Sequence, residues 1–150
     1  LILSGCWIPS EEALEAGLSG LRWLIELQTA PEGHFRPIGC NGFLHRGKGP
    51  PAQFDQQPLE ACAMISASLE AFRVTKDPFF SQAAQLAFEW FLGRNDLGLP
   101  LYDPATGGCQ DALHQDRINE NQGAESSLSF YLSMAEMRLS QNPIQLHKSL

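Results

Sequence analysis

Apolar side chains recur at helical spacing in four stretches of the chain, and polar stretches of very different length separate them. The first stretch covers about residues 10–28, and its apolar positions three or four residues apart are Leu14, Leu18, Leu21 and Ile25. Ser10 is a suitable N-cap, because its hydroxyl can accept a hydrogen bond from a free amide of the first turn. The spacing therefore predicts a first, amphipathic helix over about 10–28.

Three further helices follow from the same criteria. The second begins near Pro58, since proline suits a first helical position, and it carries small or apolar residues on nearly every face. Asp77-Pro78 ends it and starts a third, amphipathic helix that runs to about Arg94. The fourth covers about 121–140 and is again small or apolar on most faces. The pattern predicts that the second and fourth helices are buried on most sides.

Two long loops, Thr29–Phe54 and Asn95–Asn119, precede the second and fourth helices, whereas a short turn joins the second helix to the third. Loops longer than about 12–15 residues in a compact domain are usually functional or disordered. This alternation makes the second and fourth helices parallel, with both N-termini at the end that bears the loops. We therefore predict an all-α fold, a partial α/α toroid built from helical hairpins with four main helices and two long polar loops.

Composition fits a single globular domain over residues 1–150. The chain is 43% hydrophobic and 18% charged, and it contains no apolar run of the roughly 20 residues that would span a bilayer. Its 17 acidic residues outnumber its 10 scattered basic ones, so the chain has no electrostatic footprint for a phosphate backbone. We expect neither a nucleic acid nor a membrane as a partner.

The four cysteines show no C-x-x-C spacing. This favours free thiols in a reducing compartment over disulfides or a zinc site, so we expect a cytoplasmic protein with no metal and no cofactor. The first residue is Leu1 and no basic segment precedes an apolar one, which argues against a signal peptide. We expect the chain to be a piece of a longer protein.

A weak internal repeat links the starts of the second and fourth helices. At an offset of 65 residues, Gln57 matches Gln122 and Glu60 matches Glu125. In one interpretation each glutamate caps its own helix and complements the helix dipole. In the other the two carboxylates form a catalytic pair, because packed helices lie about 8–10 Å apart and an inverting glycosidase needs about 6.5–9.5 Å between its acids.

A denser polar set lies between the third and fourth helices. Asp and Asn there could simply bond to their own turns and helix starts. Alternatively they form a rim that binds a polyol, because carboxylates and amides offer the acceptors and donors that vicinal hydroxyls require. Tyr102, Phe35 and Phe54 are then candidates to cover a sugar ring, and His114 is the candidate acid or base. The candidate substrate-binding residues are Asp55, Gln56, Gln57, Asp103, Asp111, Asn119, Asn121 and Gln122, and the candidate catalytic residues are Glu60, Glu125 and His114.

Four segments together resemble a known family: HFRPIGCNGF, FDQQPLEA, EWFLGRNDLGLPLYDPATGGCQD and NENQGAESSLSFYLSMAEM. They are similar to the all-helical region found C-terminal to the catalytic domains of certain bacterial group 1 glycosyltransferases. That region resembles the six-hairpin α/α toroids of glycosidases and sugar epimerases. The resemblance covers about residues 18–140 and implies a carbohydrate-related role, with the polar segments lining the open end of the toroid.

Two features limit what the resemblance implies. Four helices are only part of a toroid, and no strand, glycine loop and helix unit for a nucleotide sugar exists here. The expected function is carbohydrate recognition or processing by a helical domain linked to a bacterial glycosyltransferase. The alternative is a non-catalytic helical scaffold that contacts another protein or the upstream glycosyltransferase catalytic domain. Because large apolar flanks usually mark an interface, we also expect the isolated fragment to be a homo-oligomer.

Overall fold

The computed structural model of the chain describes residues 1–45, 47 and 49–141. This part of the chain is mostly helical, with one small two-stranded sheet. In chain order the elements are α1 (Ile2–Trp7), α2 (Glu11–Leu27), α3 (Pro58–Thr75), α4 (Pro78–Phe91), β1 (Ala112–Leu113), β2 (Ile118–Asn119) and α5 (Ala124–Gln141).

The helix starts lie where the capping residues predict them. The Ser10 hydroxyl accepts a hydrogen bond from the amide of Ala13 at 3.3 Å, and the Asp77 carboxylate accepts one from Phe79 at 3.0 Å. Each satisfies an amide that has no partner within its helix. At the other end, α4 stops at Phe91, three residues before the predicted end. Gly93 has a φ of 104°, which side chains other than glycine rarely adopt, so the chain leaves the helix there.

Helices α3 and α5 run in the same direction, as the alternation of loop lengths predicts. Their N-termini lie at the end of the molecule that carries β1 and β2, because Gln56 precedes α3 and pairs with Leu113 of β1. Farther along, the hydroxyl of Ser66 in α3 donates a hydrogen bond of 2.8 Å to Glu136 in α5. Helix α4 returns antiparallel to α3 after the short turn at Lys76 and Asp77. The polar loops therefore meet at one end.

The core is centred on α3 and α4, and α2, α5 and both long loops contribute buried side chains to it. Trp90, Phe80 and Phe91 of α4 and Ile65 of α3 are fully buried. Burying a side chain of this size contributes about 1.5–3 kcal/mol, so these residues are the main attachment of α4 to its neighbours. The apolar face predicted for this helix is confirmed.

Helix α5 is not buried on most sides, which corrects the expectation from its apolar composition. Its inward face carries the small residues Ser126, Ser129 and Ser133, and the Ser133 hydroxyl bonds within the helix to the carbonyl of Ser129 at 2.7 Å. Serine can face the core because that bond satisfies its hydroxyl. A leucine stripe faces solvent instead, formed by Leu128, Leu132 and Leu139, which are 60%, 54% and 52% exposed.

The short helix α1 was not predicted. It packs on α2 through glycines: a Cβ on Gly5 would lie 2.8 Å from the backbone nitrogen of Leu14, and one on Gly17 would lie 3.0 Å from Ile2. The missing side chains allow the two helices to touch. None of the helices in the described residues has the length and apolarity needed to cross a bilayer.

Candidate functional site

The two long loops are joined by a small backbone sheet at the N-terminal ends of α3 and α5. Strands β1 and β2 pair antiparallel, and the amide of His114 donates to the carbonyl of Arg117 at 2.9 Å, which closes the hairpin. Gln56 from the first loop pairs with Leu113, each amide donating to the other's carbonyl at 2.9 Å. Asp55 precedes Gln56 and His114 follows Leu113, so these two hydrogen bonds place Asp55 and His114 next to one another.

The first long loop fixes the backbone of Asp55. Its carbonyl accepts a hydrogen bond from the amide of Cys40 at 3.0 Å, and the carbonyl of Phe54 accepts one from Asn41 at 3.1 Å. Gly39 lies directly against the Phe54 backbone, at a distance that leaves no room for a Cβ. The position of Asp55 is therefore fixed by backbone contacts, and its carboxylate points toward the hairpin.

The Asp55 carboxylate bonds to the imidazole of His114, with 2.5 Å between Oδ1 and Nδ1. Both side chains are partly exposed, at 33% for Asp55 and 23% for His114. The Nε2 atom of His114 makes no hydrogen bond to the described residues, and it is not among the buried atoms that lack a partner. The ring is therefore fixed on one edge and accessible on the other. We call this pair the Asp55–His114 dyad.

His114 contributes to the wall of an open groove of about 650 Å³ along the hairpin. The volume is within the range of about 300–1,000 Å³ usual for small-molecule sites. We call it the His114 groove, and its lining residues are Leu99, Gln110, His114, Asp116, Arg117, Ile118, Asn119 and Glu120. Six of these are polar or charged, and Leu99 and Ile118 add apolar surface.

Behind the dyad lies a polar cluster centred on Asp96, which we call the Asp96 network. Arg36 donates to the Asp96 carboxylate through Nε at 2.9 Å and Nη2 at 2.5 Å, and Nε2 of His34 lies 3.0 Å from it. The side-chain nitrogen Nε2 of Gln56 donates to the Asp96 carboxylate at 2.5 Å. The indole N–H of Trp90 donates to the side-chain oxygen Oε1 of Gln56 at 2.8 Å. The network ties both long loops to α4.

Burial of Asp96 acts to raise its pKa, but the hydrogen bonds outweigh it. Donation from Arg36, Gln56 and His34, with the charge of Arg36, holds the pKa of Asp96 below the ordinary value of 3.8. Asp96 was not among the predicted site residues, because the sequence places it in a turn that gives no sign of partners some 60 residues away. The two hydrogen-bond donors in the first loop, Arg36 and His34, were the available signal for a buried carboxylate.

Gln56 was predicted to bind substrate, but the structure assigns it another task. Its side chain is fully buried, and both its amide nitrogen and its amide oxygen bond to protein atoms. It therefore offers no atom to a ligand and holds Trp90 to the Asp96 network. Gln57, the next residue, is exposed, and its amide lies 3.7 Å from the sulfur of Cys40.

Asp103 and Asp111 bond to their own turns and helix starts, the first of the two interpretations given for the polar set. The Asp111 carboxylate accepts hydrogen bonds from the amide of Gly123 at 2.8 Å and the hydroxyl of Ser126 at 2.6 Å, and so caps α5. Asp103 accepts from the Ala105 amide at 2.9 Å and from the Thr106 hydroxyl at 3.0 Å. These bonds hold the pKa of Asp103 below its ordinary value. Neither residue lines the His114 groove.

The three amide side chains predicted to bind substrate near the end of the hairpin, Asn119, Asn121 and Gln122, lie in different settings. Asn119 lines the groove while its oxygen accepts a hydrogen bond from the Asn121 amide at 3.2 Å. Asn121 is exposed outside the groove lining. Gln122 bonds back to the turn, accepting from Thr106 at 2.8 Å and donating to Asp103 at 3.3 Å. Of the three, only Asn119 is placed beside His114.

Glu60 and Glu125 lie in the first turns of their helices, but they are not at equivalent positions. Glu60 is the third residue of α3 and Glu125 is the second residue of α5. The 65-residue repeat is therefore one position out of step with the helix starts. Both residues are exposed, Glu60 accepts a hydrogen bond from Gln28 at 3.3 Å, and neither lines the His114 groove.

None of the three aromatic residues expected to cover a sugar ring, Phe35, Phe54 and Tyr102, lines the groove. Phe35 is a core residue at 5% exposure. Tyr102 stacks on Phe130 of α5, with 4.3 Å between ring centroids. In the groove, Leu99 and Ile118 supply the apolar surface instead.

The cysteines are free thiols, as expected, and the thiol of Cys109, next to Gln110 of the groove wall, is unreactive. Cys109 is fully buried, and burial together with the charge of Asp111 raises its pKa to about 12. A thiol with that pKa remains protonated at neutral pH and is a poor nucleophile. The described residues contain no group of three or more His, Cys, Asp or Glu side chains that could hold a metal ion.

The chain was compared with known proteins. No family model matches the sequence, and no curated protein matches it significantly.

Proposed function

We propose that this chain is a carbohydrate-binding helical domain and that the His114 groove is its saccharide site. The observation that carries the proposal is that the second long loop forms one open groove with a mixed polar and apolar wall, and that a histidine of this wall is held by the carboxylate of Asp55. Such a wall is what a sugar needs, because its hydroxyls require donors and acceptors and its ring faces are apolar.

The residues of the groove divide into these two tasks. Gln110, His114 and Asn119 present amide and imidazole groups to hydroxyls, and the carboxylates of Asp116 and Glu120 extend the polar wall. Leu99 and Ile118 lie against the ring. A volume of about 650 Å³ is sufficient for a short oligosaccharide.

A role in carbohydrate processing rests on His114 alone. An imidazole anchored by a carboxylate can act as a general acid or base, and His114 lines the groove. Glu60 and Glu125 lie outside the groove lining, so they are not part of this reaction centre. Recognition is therefore the function that the geometry supports best, and proton transfer by His114 is its extension.

The wider context is also part of the proposal. Parallel α3 and α5, with an antiparallel α4 that packs on α3, are consistent with part of an α/α toroid. With the resemblance in four segments, this supports a domain linked to a bacterial glycosyltransferase. Four free thiols are consistent with a cytoplasmic location.

A glycan array followed by titration calorimetry tests the proposal directly. We expect the wild-type chain to bind at least one class of saccharide, and His114→Ala to weaken that binding at least tenfold. His45→Ala is the matched control, because His45 is an exposed histidine outside the groove lining. A wild-type chain that binds no glycan, or equal affinity in His114→Ala, contradicts the proposal.

A second candidate, the helical scaffold, is favoured by a different observation. The leucine stripe of α5 places Leu128, Leu132 and Leu139 in solvent on one helix face. A row of exposed leucines is suited to contact another protein, such as the upstream catalytic domain or a second copy of this chain. On this reading no sugar binds. Light scattering gives an assembly larger than a monomer, and Leu128→Ser with Leu132→Ser restores the monomer.

A further inference from the structure

Gln110 in the groove wall has an amide oxygen with no partner. Its Oε1 atom is buried and makes no hydrogen bond to the described residues. Its backbone is fixed, since the Gln110 amide donates to the carbonyl of Leu101 at 2.9 Å. Leaving a buried acceptor unsatisfied is unfavourable by about 1–3 kcal/mol. This oxygen has almost no accessible surface, so it is not the atom that a ligand in the groove would meet.

His114 is a lining residue that can offer an accessible acceptor to the groove. Asp55 is a carboxylate and can only accept, so at 2.5 Å from it the Nδ1 atom must carry the ring proton. In the neutral imidazole the remaining lone pair is then on Nε2, the atom with no partner among the described residues. The Asp55–His114 dyad therefore fixes which kind of hydrogen bond the groove offers.

The charges of the groove point to the same kind of ligand. Asp116 and Glu120 are acceptors, and Arg117 is the only cationic side chain among the described lining residues. Its guanidinium is already paired with Asp116, at 2.8 Å between Nη1 and Oδ1. An anionic ligand would meet two carboxylates and one cation, in a chain that carries a net charge of −7.

We infer that the His114 groove selects an uncharged, hydroxyl-rich saccharide, one hydroxyl of which donates to Nε2 of His114, and that it rejects phosphorylated, sulfated and uronate sugars. The inference rests on the proposed function, because it names the ligand class of that site. Asp55 is a positioning residue in this arrangement, since it touches the ring of His114 and not the ligand.

The tautomer of His114 can be measured without any ligand. Long-range proton–nitrogen spectra of chain labelled with ¹⁵N-histidine are recorded near pH 8.5, above the ordinary histidine titration near 6.5. The His114 signals are identified by their loss in His114→Ala. We expect an unprotonated Nε2 in the wild type and a shift toward protonated Nε2 in Asp55→Ala, with no change in Asp116→Asn. A protonated Nε2 in the wild type overturns the role assigned to Asp55.

The ligand class is tested with matched sugars that differ only in charge. Neutral oligosaccharides are compared with their 6-phosphate, 6-sulfate and uronate forms by titration calorimetry. We expect the neutral forms to bind at least tenfold more tightly, and an Asp116→Asn, Glu120→Gln double variant to narrow that ratio. Equal or tighter binding of the anionic forms overturns the inference while leaving a carbohydrate function in place. If no sugar of either class binds, the proposed function itself is wrong.

Discussion

The Asp96 network and the His114 groove are built from the same kinds of side chain, yet they differ in how completely those side chains are satisfied. In the network, Asp96 is 9% exposed and receives hydrogen bonds from Arg36, Gln56 and His34. In the groove, His114 has one edge without a protein partner and the Gln110 oxygen has none among the described residues. Neighbouring parts of the same loops thus serve structure and recognition separately.

The difference shows what a polar loop in this chain can and cannot offer. A side chain whose donors and acceptors are all paired within the protein stabilises a conformation but has nothing left for a ligand. A side chain held on one edge only keeps its orientation and still has an atom to offer. Gln56 is of the first kind and His114 is of the second. The two residues are close together nevertheless, because Gln56 pairs with Leu113, the residue before His114.

The largest effect should come from removing the charge of Asp96. In Asp96→Asn the guanidinium of Arg36 loses its buried counterion, and we expect a loss of about 3 kcal/mol in the free energy of unfolding. Urea denaturation followed by circular dichroism measures it. Asp116→Asn removes a carboxylate from an exposed pair with Arg117 and is the control, with an expected change below about 1 kcal/mol. Equal losses in the two variants would show that the network is not distinct from the groove.

The contribution of Asp96 to the free energy of unfolding should decrease at acid pH. Because its folded-state pKa lies below the ordinary 3.8, its stabilisation is present above that value and is lost as pH falls through the folded pKa. The difference in unfolding free energy between wild type and Asp96→Asn should therefore be largest near pH 6 and shrink below about pH 4. Denaturation curves at several pH values measure it, and a difference that grows on acidification would contradict this account.

A smaller loss is expected at the cap of α5. In Asp111→Ala the Gly123 amide and the Ser126 hydroxyl lose their acceptor, and N-cap residues contribute about 1 kcal/mol. Ser126→Ala removes only one of the two bonds and should destabilise by less. Thermal unfolding of both variants and the wild type measures the two losses of stability. A larger loss in Ser126→Ala than in Asp111→Ala would contradict the prediction.

The smallest stability effect should be at the groove itself. His114→Ala removes one partly exposed pair with Asp55, and we expect a change of no more than about 1 kcal/mol. The same variant should have the largest effect on sugar binding. Stability should therefore depend mainly on the Asp96 network, and sugar binding on the His114 groove. A loss in His114→Ala as large as that in Asp96→Asn would mean that the dyad is a structural element.

The helices could be predicted from the sequence because their signals are local. Ser10, Pro58 and the pair Asp77-Pro78 mark helix starts within a turn of where they act, and the structure confirms them. The outward leucines of α5 were not predicted, because a helix with apolar residues on several faces does not reveal which face is buried. In the structure serines occupy part of the inward face, and the hydroxyl of Ser133 bonds within the helix to the carbonyl of Ser129.

The site was only partly predictable, because hydrogen-bond partners distant in sequence leave no local pattern. His114 and Asp55 were both candidates, but nothing in the sequence paired them across 59 residues. Asp103, Asp111 and Gln56 belong to the same polar composition and are engaged in a turn, a cap and the Asp96 network. Composition identifies which loops are polar, and only the three-dimensional arrangement separates residues that support the fold from residues that are free to bind.

The reciprocal pairing of Gln56 with Leu113 has a consequence for engineering. His114 owes its orientation to Asp55, which belongs to a segment more than fifty positions earlier, so the hairpin cannot be transplanted alone onto another scaffold. A graft would have to carry both strands of that bridge together with Gly39, against which the Phe54 backbone rests. The recognition surface and the entry to α3 form one inseparable module.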